Sequence, residues 1–121
     1  MAVPPVLRGD DYARGDDGLH KYCRTVMCNN IQYGITWGVF ATWASEFFRL
    51  KRLHLVEMNA NPDKAGRHYF AHFQFATKQH AMDARLLLHT RFRDLSPPGS
   101  DGLHCYPCHQ AKARGYDGWW E

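Results

Sequence analysis

Long apolar runs, a secretion signal and a strong net charge are all missing from this sequence. No stretch of about 18 apolar residues occurs, so we expect no membrane-spanning helix and no membrane partner. Residues 1–7 show no charged segment before a long apolar core, so the sequence predicts no secretion signal. These features favour an intracellular protein of the nucleus or the cytoplasm.

Cysteine is also sparse, with four residues among 121. In a chain without a secretion signal we interpret them first as reduced, buried thiols, and we expect no cofactor and no metal. Cys105, Cys108 and His109 nevertheless form a Cys-x-x-Cys-His pattern, which occurs in haem attachment, thiol redox and zinc sites. A fourth strand beside the first would bring this pattern near Cys23 or Cys28, so structural zinc is kept as an alternative.

The charge balance is only mildly basic. Fifteen Lys and Arg residues against twelve acidic residues give a net charge of +3 at pH 7, with eight histidines counted as neutral. This balance permits an anionic partner such as a nucleic acid without requiring one. The 45% hydrophobic and 14% aromatic content suffices for a core, and the length suits one domain.

Residues 68–75 alternate strictly between two kinds of side chain. In a strand, one face would carry two imidazoles, a phenyl ring and an amide, and the other face would be apolar. The first set is His68, Phe70, His72 and Gln74, and the second set is Tyr69, Ala71, Phe73 and Phe75. The pattern predicts a central strand with one face in the core and the other available for stacking.

The remaining periodicity predicts the order strand, helix, strand, strand, helix, strand. The predicted strands are residues 22–31, 52–58, 68–75 and 103–106, and residues 59–66 are expected to form a turn-rich connection. Thr36 and Thr77 are good N-caps for the two helices. The predicted core positions of the helices are Val39, Phe40, Trp43, Phe47 and Leu50, then Ala81, Ala84, Leu87 and Leu88.

This order predicts an α+β fold of the ferredoxin-like βαββαβ type, with a four-stranded antiparallel sheet and two helices on one face. The other face is expected to be open, and function is expected there. The predicted organisation is an irregular arm at 1–20, one domain at 21–110 and an aromatic, basic tail at 111–121.

Two segments resemble signature sequences of the RNA recognition motif family. The third-strand signature, Lys/Arg-Gly-aromatic-Gly/Ala-Phe-Val-x-Phe, falls on residues 68–75. The first-strand signature, which ends in Asn-Leu, falls on residues 26–31 (Val-Met-Cys-Asn-Asn-Ile). The resemblance covers roughly residues 22–110 and identifies the chain as a divergent member, with histidine, tyrosine or methionine at several signature positions.

The resemblance implies that exposed rings stack two or three bases of single-stranded RNA. Phe70 matches a stacking ring, His72 stands at the second stacking position, and Met27 stands where the first strand usually has an aromatic residue. The residues expected to bind RNA, or to assist its binding, are Arg24, Met27, His68, Phe70, His72, Gln74, Lys112 and Arg114.

Two alternatives stay open. The first is a protein-interaction adaptor with the same fold, which would bind its partner through the helical face or through Trp119 and Trp120. The second is a single-stranded DNA endonuclease, because Glu57, His72 and Gln74 resemble the metal-binding residues of replication-initiator enzymes. Such enzymes also need a tyrosine followed three residues later by lysine, and this spacing is missing, so we predict a non-enzymatic module.

Overall fold

Four strands and three α-helices form the regular structure of the described chain. The computed structural model describes residues 14–63, 66, 68–116 and 118–120. In chain order the elements are a 3₁₀ turn at Lys21–Arg24, β1 at Thr25–Asn29, α1 at Trp37–Leu50, β2 at Leu55–Pro62, β3 at Tyr69–Phe75, α2 at Lys78–Leu88, a 3₁₀ turn at Arg93–Leu95, β4 at His104–Pro107 and α3 at Gln110–Ala113. We refer to Lys21–Arg24 as the N-terminal turn.

The strands form one sheet in the order β2-β3-β1-β4. Each neighbouring pair is antiparallel, so β1 and β3 are central strands, and β2 and β4 are the two edges. The prediction of a mixed α+β fold with a four-stranded antiparallel sheet is therefore confirmed.

The hydrophobic core lies between the sheet and the two longer helices. Ala71, Phe73 and Phe75 of β3 are fully buried, as their alternation predicted. They share one core cluster with side chains of both helices, which are Phe40, Ala44, Phe48, Ala81, Ala84 and Leu88. Both helices therefore cover the same face of the sheet, and the other face carries the polar positions of β3.

Both predicted helix caps are present. The hydroxyl of Thr36 accepts the N–H of Val39 at 3.3 Å, and the hydroxyl of Thr77 accepts the N–H of His80 at 3.1 Å. Each cap satisfies a backbone donor that the first helical turn leaves unpaired, which stabilises a helix by about 1 kcal/mol. Among the described residues, none of the helices combines the length and apolarity that crossing a bilayer requires.

The predicted core face of α1 is partly wrong. Val39 and Leu50 are each 64% exposed, whereas Ala44 and Phe48 are fully buried. At 100° per residue, Phe40, Ala44 and Phe48 set the inward direction of α1, and Val39 and Leu50 point to the solvent side of the helix.

The second strand is displaced from its prediction. Residues 52–54 precede β2, and residues 59–62, predicted as a turn, belong to it. These four residues pair in unbroken register with residues 69–72, so ladder pairing overrides the turn preference of asparagine and proline. Pro62 ends an edge strand, where its missing N–H costs little.

The outer edge of β4 is closed by the segment that precedes it. Leu103 exchanges backbone hydrogen bonds of 2.7 and 2.8 Å with residues 90–91. The N–H of Cys105 donates to Nδ1 of His89 at 3.0 Å, and Nε of Arg85 donates to the carbonyl of Cys105 at 3.1 Å. The N–H and the carbonyl of Cys105 both point away from β1. Side chains of α2 and of its C-cap residue bond these two groups, as the backbone of an additional strand would.

The segment before β1 is a turn rather than strand. Nδ1 of His20 accepts the N–H of Tyr22 at 3.2 Å, and its carbonyl accepts the N–H of Cys23 at 2.9 Å. These bonds place residues 22–24, predicted as strand, in the N-terminal turn. Residues 1–13 of the predicted arm lie outside the described residues.

Arg24 ties this segment to the sheet. It is only 2% exposed, and its guanidinium donates to the carbonyls of Leu19 (3.0 Å) and Phe75. Gly15 packs directly against it: a Cβ at Gly15 would lie 2.4 Å from the carbonyl oxygen of Ala76 and 2.5 Å from Cδ of Arg24. The Arg24 side chain therefore has a structural role.

All four cysteines are buried thiols. Cys28 and Cys105 are direct cross-strand partners, and a hydrogen bond between their side chains together with burial raises the pKa of the Cys28 thiol. Burial also raises the pKa of Cys23 and of Cys108. Within the described residues, no three His, Cys, Asp or Glu side chains form a group that could hold a metal ion.

Candidate functional site

The sheet face opposite the helices is the candidate site. Strand alternation and the pairing register determine which side chains of the four strands lie on this face. This open face comprises Thr25, Met27 and Asn29 of β1, Glu57, Asn59 and Asn61 of β2, Phe70, His72 and Gln74 of β3, and His104 and Tyr106 of β4.

A row of four side chains crosses the middle of the open face. His72 pairs with Asn59 on one side and with Met27 on the other, and Met27 also pairs with Tyr106. Directly opposed residues have Cβ atoms about 4.5–5.5 Å apart. The row is therefore a continuous strip in which a flexible thioether separates an imidazole from a phenol.

His72 is held as a neutral ring. Its Nε2 lies 3.3 Å from the amide nitrogen of Asn61, and because an amide nitrogen only donates, Nε2 acts as the acceptor. Burial lowers the pKa of His72. The ring therefore offers a half-buried, uncharged stacking surface at neutral pH.

Two grooves lie along the open face, one at each side of the central row. The first has a volume of about 350 Å³ and contains one cation, one carboxylate and several amides. Its lining residues are Lys21, Tyr22, Thr25, Glu57, Asn59, Asn61, His72, Gln74, Cys108 and Gln110. This groove joins the open face to the N-terminal turn.

The second groove, of about 280 Å³, lies around Phe70. His68 also lines it, and the ring of Tyr33 meets His68 edge-on at 5.3 Å. On the opposite wall, Nε2 of His104 lies 2.7 Å from a carboxylate oxygen of Asp101. This carboxylate contact lowers the pKa of Asp101. The groove thus combines a phenyl ring with two imidazoles.

The tail packs on the domain. The indole N–H of Trp119 donates to the carbonyl of Cys108 at 3.0 Å, and Trp120 packs against the core beside Arg85 of α2. Tyr116 stacks on His20 with ring centroids 4.1 Å apart. Both tryptophans, which the adaptor alternative assigned to partner binding, therefore pack against the domain itself.

The structure brings together four of the residues predicted to bind RNA. Met27, Phe70, His72 and Gln74 share the open face, and His68 stands beside them in the second groove. The other three predicted RNA contacts lie elsewhere.

Arg24, which was expected to assist RNA binding, is buried against backbone carbonyls. Lys112 lies over the ring of Trp119 at 5.0 Å, and Arg114 lies over the ring of Tyr22 at 5.0 Å. Each tail cation therefore lies against an aromatic ring, Lys112 against one of the tail and Arg114 against one of the N-terminal turn.

Several residues of the site were not predicted. Lys21 was assigned to no element, Tyr22 to a strand, and Asn59 and Asn61 to a turn, while Tyr106 was assigned to a strand without a role on the open face. The alternation of residues 103–106 with their neighbours was a signal that could have placed Tyr106 on the open face.

The residues of the endonuclease alternative also meet. Glu57, His72 and Gln74 line the first groove, and Glu57 pairs directly with Gln74. Tyr106 also lies on the open face, whereas Tyr116 stacks on His20.

No protein-family model and no curated protein matches the sequence. The chemistry of the open face is therefore the basis for assigning a function. That face offers rings for stacking and amides that both donate and accept hydrogen bonds, and Lys21 lines the groove that adjoins it.

Proposed function

We propose that the protein is a non-enzymatic RNA-binding module of divergent RNA-recognition type, which binds single-stranded RNA on its open face. The observation that carries this proposal is the placement of Phe70, His72 and Met27 on the sheet face that the two longer helices do not cover. Bases of single-stranded RNA stack on such side chains, and each stacked base contributes about 1–3 kcal/mol.

The arrangement of the chain supports the proposal. The order β1-α1-β2-β3-α2-β4, with β1 and β3 in the centre of the sheet, agrees with a ferredoxin-like fold of the RNA-recognition type. In that arrangement the two signature segments occupy the central strands and project onto the face that the helices leave open.

The polarity of the face also supports it. Asn29, Asn59, Asn61 and Gln74 can pair with the hydrogen-bonding edges of unstacked bases. None of the open-face residues is lysine or arginine, so stacking and amide contacts are expected to contribute more than phosphate contacts there. We therefore expect modest affinity with a shallow salt dependence.

Fluorescence anisotropy with a labelled pool of single-stranded RNA tests the proposal. Phe70→Ala should weaken binding by about 5-fold to 100-fold, the loss expected for one stacked base. Phe70→Leu keeps the bulk of the side chain without the ring and should also lose affinity, whereas Leu86→Ala on α2 should not. Absence of wild-type binding at low salt would rule the function out.

A protein-interaction adaptor is the second candidate, and one surface favours it. Leu86 is 73% exposed and lines a groove of about 410 Å³ between α2 and Trp120. Size-exclusion chromatography of native cell extract tests this alternative: Leu86→Asp should move the protein from a large complex to its monomer volume. An unchanged elution profile argues against it.

The endonuclease is retained as a further alternative because Glu57, His72 and Gln74 share one groove. Incubation of single-stranded DNA with the protein and manganese should then give a covalent tyrosine adduct that Tyr106→Phe abolishes. A protein that leaves the DNA unmodified under these conditions is not such an enzyme.

A further inference from the structure

The N-terminal turn places a lysine and a tyrosine ring at one end of the first groove, and Arg114 lies over that ring. Lys21 and Tyr22 both line this groove together with His72 and Gln74. Nζ of Lys21 lies 5.3 Å from the centre of the Tyr22 ring, and the guanidinium carbon of Arg114 lies 5.0 Å from it. The groove therefore runs from uncharged stacking positions towards a cationic corner.

Contacts from separate segments hold this corner in place. The N–H of Tyr22 donates to His20, and the hydroxyl of Thr25 donates to the carbonyl of Lys21 at 2.7 Å. From the other end of the chain, Tyr116 stacks on His20 and lies 6.3 Å from the Tyr22 ring. The ring is thus positioned by the folded domain, which reduces the ordering cost of binding.

The charges in the groove differ between its two sides. Glu57 lies on β2 and pairs with Gln74, so its carboxylate, which repels phosphate, stands on the β2 side, and no lysine or arginine belongs to the open face. Lys21 lines the groove just before β1, and Arg114 lies over the neighbouring Tyr22 ring, so a phosphate would be attracted to that side. A single strand that stacks on His72 would therefore place its backbone charge towards the N-terminal turn.

We infer that Lys21, Tyr22 and Arg114 form a second nucleotide subsite, beyond the sheet, for the strand bound on the open face. Tyr22 stacks a base, and the two cations bind the adjacent phosphate. This subsite rests on the proposed RNA-binding function. It extends the binding site past the sheet edge, so longer oligonucleotides should bind more tightly than those that fill the open face alone.

Salt-dependent anisotropy with a series of oligouridylates from about two to eight nucleotides tests the subsite. Lys21→Ala should reduce the slope of log affinity against log salt by about 0.7, the value for one phosphate contact on a single strand. Lys51→Ala removes the same charge from the end of α1 and should leave the slope unchanged.

Tyr22→Leu should weaken the longer oligonucleotides by about 5-fold or more, and Tyr22→Phe, which keeps the ring, should restore their affinity. Thermal unfolding of each variant by circular dichroism separates a local loss from a folding defect, and ultraviolet crosslinking followed by mass spectrometry should place a uridine on Tyr22. The Phe variant keeps the test decisive if the Leu variant folds poorly.

The outcomes for the subsite and for the function differ. If Phe70→Ala and His72→Ala weaken binding while Lys21→Ala and Tyr22→Leu bind like wild type, the subsite is wrong and the RNA-binding function stands. If the wild-type protein retains no RNA at low salt, both are wrong. Loss of the length dependence in the Lys21 and Tyr22 variants supports the subsite.

Discussion

Met27 and His72 are direct cross-strand partners at the centre of the open face. A methionine lies there next to an imidazole, with Tyr106 on its other side, at the position where RNA recognition motifs usually have a ring. Methionine packs adaptably against rings but offers a smaller stacking surface than an aromatic residue. The central row thus retains the geometry of a stacking strip with one ring missing.

Replacing Met27 by phenylalanine should strengthen RNA binding. The new ring would lie between His72 and Tyr106, where it can stack a base, and a gain of about 1 kcal/mol corresponds to about 5-fold in affinity. Anisotropy with single-stranded RNA measures the gain. Met27→Leu should bind like wild type, and a Phe variant that binds no better would show that no base reaches β1.

Stability should fall as the pH drops below about 6.5. Burial lowers the pKa of His72 and of His89, and Nδ1 of His89 must stay unprotonated to accept the N–H of Cys105. Both imidazoles bind a proton less readily in the folded chain than in the unfolded chain. Their contribution is therefore complete above the unfolded pKa and decreases towards the lowered folded pKa.

Urea unfolding at several pH values between about 7.5 and 5.5 measures this effect. His89→Gln, whose amide oxygen can accept the same N–H, should show a weaker pH dependence than wild type. Adding His72→Gln should weaken it further. Equal pH dependence in all three proteins would contradict the assignment.

Gly15→Ala should destabilise the protein by about 1–3 kcal/mol, the usual cost of forcing an extra group into a packed site. The added Cβ would overlap the carbonyl oxygen of Ala76 and the side chain of Arg24, which is held by its own hydrogen bonds. Denaturant unfolding gives the change directly. Gly38→Ala is the matched control, because its Cβ meets nothing within 4 Å.

That control should be neutral or should stabilise the protein. Gly38 lies in α1, where alanine is favoured over glycine by about 0.5–1 kcal/mol. If both substitutions change stability alike, the close approach at Gly15 does not anchor the segment before β1.

The four thiols should react slowly in the native protein and fully after unfolding. Burial raises the pKa of Cys23 and of Cys108, and the contact with Cys105 together with burial raises that of Cys28, so the reactive thiolate is scarce. Ellman titration with and without denaturant measures this difference. Rapid reaction of any native thiol would indicate that β4 opens readily.

Local signals sufficed for much of the fold. The two-residue alternation of 68–75 and the caps at Thr36 and Thr77 depend on neighbours in sequence, and the structure agrees with them. Residues 59–62 contain turn-favouring asparagine and proline, but their pairing with β3 prevailed. Such pairing depends on residues distant enough in sequence that local preference does not reveal it.

The candidate site was predictable only where it coincides with strand alternation. Phe70 and His72 follow from the pattern, whereas the burial of Arg24 depends on carbonyls of Leu19 and Phe75 that only the fold brings together. Tyr22 gains its cationic neighbour Arg114 from the far end of the chain. Both relationships arise from tertiary contacts, which local sequence patterns do not reveal.

The covered edge of β4 limits how copies of this domain could assemble. Of the two edge strands, β4 has its outward backbone groups at Leu103 and Cys105 already bonded, so an incoming strand would find partners at β2 instead. Two copies joined through β2 would expose only their β4 edges to a third. Sheet extension by this route therefore ends at a dimer and does not propagate into a fibre.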